Sequence, residues 1–318
     1  MKKAAFNKKF DWSRLSTLFV LIGMCVILAF TSKVFLTVGN VVNVLQQISI
    51  NAIIAIGMTF VIITAGIDLS VGSVLALSST TMGVVYVSTG SVFLSILTCL
   101  LVGIICGIIN GIIITKGGLP PFISTLGMMN MARGIALTLT AGKTINGFNG
   151  TFRWIGTKTI TGAGFPVQVI FMLILMAAAF YILRYRKLGR YIYAIGGNEE
   201  VTRLTGINVY RYKIIAYAIS GLTAAIAGYV LTAKLNAAQP ISGDGYELDA
   251  IAACVIGGVS QEGGVGSVWG TLIGAIIVGV INNGMTLLNV SSYFQEFVIG
   301  LVIVISVLID VQKNRKTR

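Results

Sequence analysis

Long apolar stretches with almost no charge constrain this chain more than any other feature of its sequence. Of its 318 residues, 56% are hydrophobic and only 10% are charged, and the mean hydropathy is +0.91. A water-soluble domain carries about 25% charged residues. Because a soluble fold could not cover this much apolar surface, the composition predicts an all-α protein embedded in a lipid bilayer.

Ten stretches are candidate transmembrane helices, each of which needs about 20 apolar residues. They lie at 15–31, 44–64, 71–88, 92–114, 122–141, 166–183, 214–233, 247–258, 268–288 and 294–311. Two are weaker, because 71–88 follows its predecessor almost without a turn and 247–258 is too short for a straight crossing. Either could be a broken or re-entrant helix lining a cavity, where irregular backbone is tolerated at membrane depth.

The distribution of Lys and Arg indicates the orientation, because cytoplasmic loops are enriched in both. With the N-terminus inside, 17 of the 23 basic residues lie in inner segments, 5 lie in outer segments and Arg133 lies within a span. We therefore predict cytoplasmic tails at 1–14 and 312–318, and a single transmembrane domain at 15–311. Its main cytoplasmic loop is at about 184–213, and the first apolar run is expected to remain as an uncleaved helix.

The residue types needed for most enzyme chemistry are missing. The chain has no histidine, which excludes imidazole catalysis and histidine-ligated metal sites. The segment Gly142-Lys143-Thr144 is similar to the end of a phosphate-binding loop, but the leading glycine is replaced by Leu137. We expect no catalytic residue, no metal and no cofactor on this chain, and we attribute the net charge of +13 to membrane topology rather than to nucleic-acid binding.

The cysteines do not suggest redox or metal chemistry either. They form no CxxC pair, and all lie inside predicted spans: Cys25, Cys99, Cys106 and Cys254. We interpret them as small buried apolar residues.

The loop at 184–213 contains the pattern of a short amphipathic helix. Asn198 is suited to cap a helix that begins at Glu199 and Glu200, and acidic residues favour a first turn. Gly206 is placed to end this helix. A short helix that lies parallel to the membrane between two spans is suited to bind a partner chain.

Asp68 lies between two apolar runs, where an unpaired charge at the bilayer centre would cost about 2.5 to 3.5 kcal/mol. It should therefore be paired or lie at an interface. One interpretation is that it caps a helix beginning at Leu69, with Gly66 and Gly72 allowing a closely packed turn. The other is that it belongs to a transport pathway or gate.

Three further acids, Asp244, Glu247 and Asp249, lie close together on the predicted outer side. Acidic residues are favoured at helix N-termini, so capping explains them without any further function. The alternative is that Asp244 and Glu247 form a docking surface for a soluble partner.

Polar amides inside apolar spans are costly unless they face a partner or a cavity. The candidates for a polar pathway are Gln46, Gln47, Asn51, Asn282 and Asn283. Hydrogen bonding between helices is the competing explanation for each of them.

Two predicted helices carry glycines at a spacing of four residues, which predicts faces on which helix backbones approach closely. These glycines are Gly103, Gly107 and Gly111 in one helix, and Gly270 and Gly274 in the other.

Four stretches resemble the permease subunits of bacterial ATP-binding-cassette importers for monosaccharides, most closely those for ribose. They are GIDLSVGS (66–73), LGRYIYAIGGNEEVTRLTGIN (188–208), GYELDAIAACVIGG (245–258) and GTLIGAIIVGVINNGM (270–285). The resemblance implies a multi-pass protein of the bacterial cytoplasmic (inner) membrane. It implies three partners: a second permease copy, a cytoplasmic ATPase that uses ATP and Mg²⁺, and an extracytoplasmic sugar-binding protein.

The resemblance also implies that the short helix in the 184–213 loop couples the permease to the ATPase. The residues concerned are Asn198, Glu199, Glu200, Thr202, Arg203, Leu204 and Gly206. The signatures of related permeases overlap, so the sugar could also be xylose, arabinose, galactose, fructose or a furanose-like signal. An ion-coupled secondary transporter is the alternative class, which would require intramembrane carboxylates or inverted repeats.

Overall fold

The computed structural model describes residues 12–160 and 164–315, and it leaves outside most of the predicted N-terminal tail (1–11) and the end of the C-terminal tail (316–318). The helices are α1 (Trp12–Thr31), α2 (Val38–Ile63), α3 (Val71–Thr89), α4 (Val92–Thr115), α5 (Pro121–Thr140), α6 (Gly150–Thr157), α7 (Val167–Tyr185), α8 (Lys187–Gly197), α9 (Glu199–Leu204), α10 (Val209–Leu235), α11 (Tyr246–Ile256), α12 (Val268–Leu287) and α13 (Ser292–Arg315). Two antiparallel strand pairs join β1 (Ile145–Asn146) to β4 (Ala237–Ala238) and β2 (Thr159–Ile160) to β3 (Phe165–Pro166). The predicted all-α class is confirmed.

All ten stretches predicted to be spans are helical in the structure. Six of the helices in the described part of the chain are long and apolar enough to cross a membrane, namely α2, α3, α4, α7, α10 and α12. A polytopic membrane protein is thus confirmed, whereas the count of ten spans stays a prediction. The weak stretch at 247–258 corresponds to α11, which has only 11 residues.

Helix α2 forms the centre of the bundle. From Ile48 to Ile63 its side chains are buried, with Asn51 as the exception. It packs against α10, α12, α11 and α7, while α10 also packs against α4 and α3. A helix that is apolar on all sides is expected at such a fully enclosed position.

Helices α4 and α10 approach each other through the predicted glycine face. A Cβ atom added at Gly103 would collide with the carbonyl of Gly221, and one at Gly107 would collide with the carbonyl of Tyr217. At Gly111 the added atom would lie 2.7 Å from the Cα of Ile214. The four-residue glycine spacing therefore permits backbone contact over two turns.

The ends of the helices meet in two groups, as expected for a chain that crosses back and forth. At one end the amide of Gly264 donates to the carbonyl of Ile63 at 2.9 Å, and Gly196 packs against both. At the other end β1 pairs with β4. The first group contains the predicted cytoplasmic loops and the second the predicted outer loops, although the orientation itself remains a prediction.

The outer group of loops is held by an aromatic cluster beneath α6. Phe148 and Phe152 stack with ring centroids 4.3 Å apart, and Tyr86 and Tyr229 contact the edge or face of this pair at 5.0 to 5.5 Å. The hydroxyl of Tyr229 also donates to the carbonyl of Phe152 at 3.1 Å. The segment between α5 and α7 is thereby fixed onto α3 and α10.

The close approach of α4 and α10 makes a testable prediction. Replacing Gly107 by alanine forces the new methyl group into the backbone of α10, and we expect a loss of about 1 to 3 kcal/mol from overpacking. The measurement is the midpoint of thermal unfolding in detergent micelles. Gly127→Ala is the matched control, because Gly127 lies within α5 with nothing within 4 Å of an added Cβ. Equal unfolding midpoints for the two variants would contradict the prediction.

Candidate functional site

The short helix predicted in the 184–213 loop is present as α9. The side chain of Asn198 accepts the amide of Val201 at 2.9 Å, as the N-cap of a helix that begins at Glu199. At the other end Gly206 has φ of 84°, the left-handed conformation that commonly follows a helix C-terminus. Both predicted boundaries of this helix are therefore confirmed.

One side of α9 faces the protein and the other is open. The buried Thr202 donates to the carbonyl of Ala194 at 2.9 Å, which ties α9 to α8. By contrast, Val201 is 55% exposed and Leu204 is 81% exposed, and Arg203 and Glu200 are also exposed. The open side of α9 therefore presents two apolar side chains among charged ones.

Helix α8 connects α9 to the centre of the bundle. The hydroxyl of Tyr193 donates to the carbonyl of Gly266 at 2.8 Å, in the loop between α11 and α12. Near the end of α8, Gly196 lies against the carbonyl of Ile63, the last residue of α2. Glu199 forms an ion pair with Lys213 at the start of α10. Helix α9 is therefore joined to the start of α10 by an ion pair and, through α8, to the end of α2 and the loop before α12.

A second polar group lies where α2, α11 and α12 meet. The carboxylate of Asp249 accepts the amide group of Asn51 at 3.1 Å and faces the amide group of Asn282 at 3.5 Å. All three side chains are only partly buried. Two of the five amides predicted for a pathway are thus brought together by a carboxylate that the pathway prediction did not include.

The face of α2 that carries Asn51 continues as a polar stripe. Asn43, Gln47 and Asn51 are four residues apart and therefore lie on one side of the helix. Asn43 and Gln47 are exposed on the isolated chain. Gln46 lies about 100° around the helix from Gln47 and therefore on a different face. Its backbone carbonyl accepts the side-chain amide of Gln168 on α7 at 3.0 Å.

Asn283 is not part of this group. It exchanges two hydrogen bonds with Asn40, at 2.9 and 3.0 Å, and both residues are buried. Asn40 also donates to the carbonyl of Phe35 at 2.9 Å. This arrangement fastens the outer end of α12 to the start of α2, as the alternative of hydrogen bonding between helices predicts.

Asp68 is almost completely buried, with 1% exposure, in the turn between α2 and α3. The capping expectation is corrected, because α3 begins at Val71 and its N-cap is Ser70, without a side-chain cap. Asp68 instead accepts the amide and hydroxyl of Ser70 at 3.0 and 2.6 Å, and the hydroxyl of Ser220 on α10 at 2.7 Å. Asn110 on α4 in turn donates to the hydroxyl of Ser70 at 3.0 Å, so this acid joins three elements.

Helices α3 and α11 both begin inside the bundle, where their N-termini meet. A Cβ on Gly72 would collide with the carbonyl of Gly243 and with the carboxylate of Glu247. Asp68 accepts the hydroxyl of Ser220, and Ser220 packs against Gly57 of α2, so the turn before α3 lies inside the bundle. The 11 residues of α11 extend about 16 Å, half of a hydrocarbon core.

The chain that leads into α11 is held by Arg133 of α5. The guanidinium donates to the carbonyls of Pro240 and Ser242 at 2.7 and 2.9 Å. It also interacts electrostatically with Asp244 and Glu247. Of these two acids, Asp244 is exposed and Glu247 is half-buried against the start of α3.

A family model described as branched-chain amino acid transport system / permease component matches residues 40–307. The chain belongs to this family. The ribose import permease protein RbsC of Escherichia coli (strain K12) is 46% identical over 301 residues, which cover 92% of this chain and 93% of that protein. RbsC of Bacillus subtilis (strain 168) is 45% identical over 299 residues, covering 93% and 91%.

The D-allose transport system permease protein AlsC of Escherichia coli (strain K12) is 38% identical over 311 residues, covering 97% of this permease and 95% of AlsC. No solved structure matches the permease. The resemblance noted from the motifs is confirmed, and the six apolar helices agree with a multi-pass protein of the bacterial cytoplasmic (inner) membrane. Among the described residues of the permease, no three acidic or cysteine side chains form a group that could hold a metal ion.

Sequence patterns missed two important residues of the permease. Asp249 was recognised only as one of three nearby acids, because its contact with Asn51 joins positions 198 residues apart. Arg133 was noted only as a charge inside a span. The signal that could have found it is the cost of an intramembrane charge, which makes such a residue a candidate for function by default.

The hydrogen bonds of Asp68 make a prediction that separates its two interpretations. Asp68→Ala removes the acceptor of two hydroxyls and one amide, and we expect the permease to lose about 1 to 3 kcal/mol of stability. The measurement is the thermal unfolding midpoint in micelles. The control is Asp244→Ala, which removes an exposed carboxylate and should leave the midpoint unchanged. Unchanged stability together with lost transport would show that Asp68 is a gate rather than a structural junction.

Proposed function

We propose that the chain is the membrane-spanning permease subunit of an ATP-driven importer that takes up a monosaccharide, ribose. The observation that carries this proposal is the 45 to 47% identity to ribose import permeases of three bacterial genera over nine-tenths of the chain. A partner ATPase hydrolyses ATP, a second copy of the permease completes the pathway, and an extracytoplasmic sugar-binding protein delivers the sugar. The permease itself binds no cofactor.

Helix α9 is the proposed contact with the ATPase. Its exposed Val201 and Leu204 supply apolar contact area, while Glu200 and Arg203 can pair with charges of the partner. Asn198 and Gly206 set its ends, and Thr202 fastens it to α8. Nucleotide-driven movement of the ATPase would then pull on the helix ends that α8 contacts.

The proposed sugar pathway follows the polar stripe of α2 to Asp249 and Asn282. Sugar hydroxyls donate and accept hydrogen bonds, and amides together with a carboxylate offer both partners. Asn43 and Gln47 are exposed on the isolated chain, where contact with lipid would leave them unsatisfied. A water-filled space shared with a second permease copy removes this cost, and the weak, partly exposed contacts allow the sugar to leave.

On the outer side, Asp244 is the acid best placed to meet the sugar-binding protein, since its side chain is exposed. Glu247 lies deeper, between Gly72 and Arg133. We assign Glu247 to the junction of α3 and α11, where separation of the two helix N-termini would open the pathway.

An ion-coupled secondary transporter is the competing function, and one observation favours it. Asp249 is a partly buried carboxylate among amides, which is a plausible carrier for a proton. The two functions differ in their energy source. Uptake that stops on ATP depletion but persists with an uncoupler supports the importer, and the reverse supports the secondary transporter.

The coupling proposal predicts that Leu204→Ser lowers ATP-dependent uptake of labelled ribose about tenfold or more, because it removes an apolar anchor from the interface. The assay uses vesicles that contain the permease with its cognate ATPase and binding protein. Leu119→Ser is the control, an exposed leucine in a different loop on the same side. A Glu199→Ala, Glu200→Ala double variant tests the charged part of α9. Full uptake in the Leu204 variant would refute the coupling role of α9. The importer assignment is tested separately, by whether uptake through the wild-type permease depends on ATP.

The pathway proposal predicts that Asp249→Ala lowers ribose uptake about tenfold or more, because the sugar loses a charge-assisted hydrogen bond. Uptake is measured against ribose concentration at equal amounts of assembled complex. Asn130→Ala is the control, since Asn130 is an exposed amide on α5 that bonds only to its own helix at Leu126. Unchanged uptake in Asp249→Ala would place the pathway elsewhere.

A further inference from the structure

A large cleft lies at the predicted cytoplasmic end of the bundle, beside α8. It lies between the end of α7, the start of α8 and the start of α12, and its volume is about 870 Å³. Its walls include Phe180, Arg184, Arg190, Tyr193 and Trp269. Two lining residues, Tyr193 and Gly266, also form the hydrogen bond that links α8 to the loop before α12, whereas ligand binding in the cleft lies outside the import mechanism proposed above.

Phe180 and Trp269 form an aromatic rim on the cleft, which continues into Tyr181 and Tyr185 outside its lining. Phe180 contacts Trp269 and Tyr185 edge to face, with ring centroids 6.0 and 6.1 Å apart. Tyr181 stacks near Tyr185 at 5.7 Å, and Trp269 is 49% exposed. Aromatic side chains gather where the hydrocarbon meets the headgroups. Such a cluster is typical of a bilayer surface, and α9 carries no aromatic side chain.

Two arginines give the interior of the cleft a positive charge. Arg184 and Arg190 are both exposed, and neither forms an ion pair with an acidic side chain in the part of the chain that the structure describes. The start of α12 is also part of the wall, and the amides of Val268 and Trp269 precede its first intrahelical hydrogen bond. Arginine forks and free amides are the groups that bind phosphate oxygens.

We propose that this cleft binds the headgroup of an anionic phospholipid, with the phosphate between Arg184 and Arg190 and an acyl chain along Phe180 and Trp269. Basic pockets between helices at the cytoplasmic surface bind such headgroups. The apolar rim and the charged interior together match an amphipathic ligand, and a free phosphate would leave the aromatic rim unused. The lipid would join the ends of α7 and α12 beside the loop that contacts α8.

Trp269 provides a direct probe of this site. In a Trp12→Phe, Trp154→Phe background it is the only tryptophan, since the chain has three. We expect brominated phosphatidylglycerol to quench its fluorescence at much lower mole fractions than brominated phosphatidylcholine. Adding Arg184→Gln and Arg190→Gln should weaken phosphatidylglycerol binding about 30-fold, towards the level of phosphatidylcholine. The matched control, Lys116→Gln with Arg211→Gln, removes the same charge outside the cleft and should keep the preference.

Equal quenching by the two lipids, or loss of the preference in the control pair, would overturn the proposal. Relief of quenching by millimolar inorganic phosphate would show a free-anion site, and relief by the purified ATPase would show a protein contact; each would refute the lipid assignment. Native mass spectrometry of the chain with all three tryptophans provides a second test. The proposal is supported if phosphatidylglycerol stays bound to the wild-type chain and to the control pair but is lost from the Arg184, Arg190 variant. It is refuted if this variant retains as much phosphatidylglycerol as the wild-type chain.

Discussion

Close backbone contact between helices is the constraint on which the rest of this structure depends. Lipid tails are as apolar as the side chains, so burial in the bilayer does not by itself drive helices together, and tight packing must hold the bundle. The glycines of α4 meet the carbonyls of α10, and Gly270 and Gly274 of α12 meet the backbone of α11 at Gly257 and Ala253. Helix α2 packs against α10 of the first seam and against α11 and α12 of the second, which explains why it is buried along most of its length.

Tight seams leave few places for polar groups, and those places coincide with breaks in the helices. The turn before α3 exposes backbone groups inside the bundle, and Asp68 with Ser70 and Ser220 satisfies part of this requirement. The chain before α11 also has backbone groups inside the bundle that need hydrogen-bond partners, and Arg133 donates to two of its carbonyls. Irregular backbone at depth therefore occurs where charged side chains from neighbouring helices can reach it. The two breaks meet at Gly72 and Glu247, so opening one junction would affect both.

Local patterns in the sequence predicted what depends on nearby residues. Interactions within one helical turn predict the N-cap at Asn198 and the helix end at Gly206. A fixed spacing of four residues predicts the glycine faces of α4 and α12. The partners of the polar residues did not follow, because Asn283 and Asn40 are 243 positions apart. Adjacent residues such as Asn282 and Asn283 point in directions about 100° apart on a helix, so one faces Asp249 and the other faces Asn40. Spacing alone cannot show which of the two faces a cavity.

Helix α2 links the two ends of the proposed mechanism in a single rigid element. Its last residue, Ile63, contacts α8 and the loop before α12, and Asn51 lies 12 positions earlier, about 18 Å along the axis. Asn51 belongs to α2, whereas its partner Asp249 belongs to α11 and Asn282 belongs to α12. A displacement of α8 that moved α2 relative to α11 would therefore change the contact between Asn51 and Asp249 first. The same displacement would meet resistance at the outer end, where Asn40 is fastened to Asn283, so α2 would pivot rather than slide. In the proposed importer, such a pivot would convert movement at α9 into a change at the proposed sugar pathway.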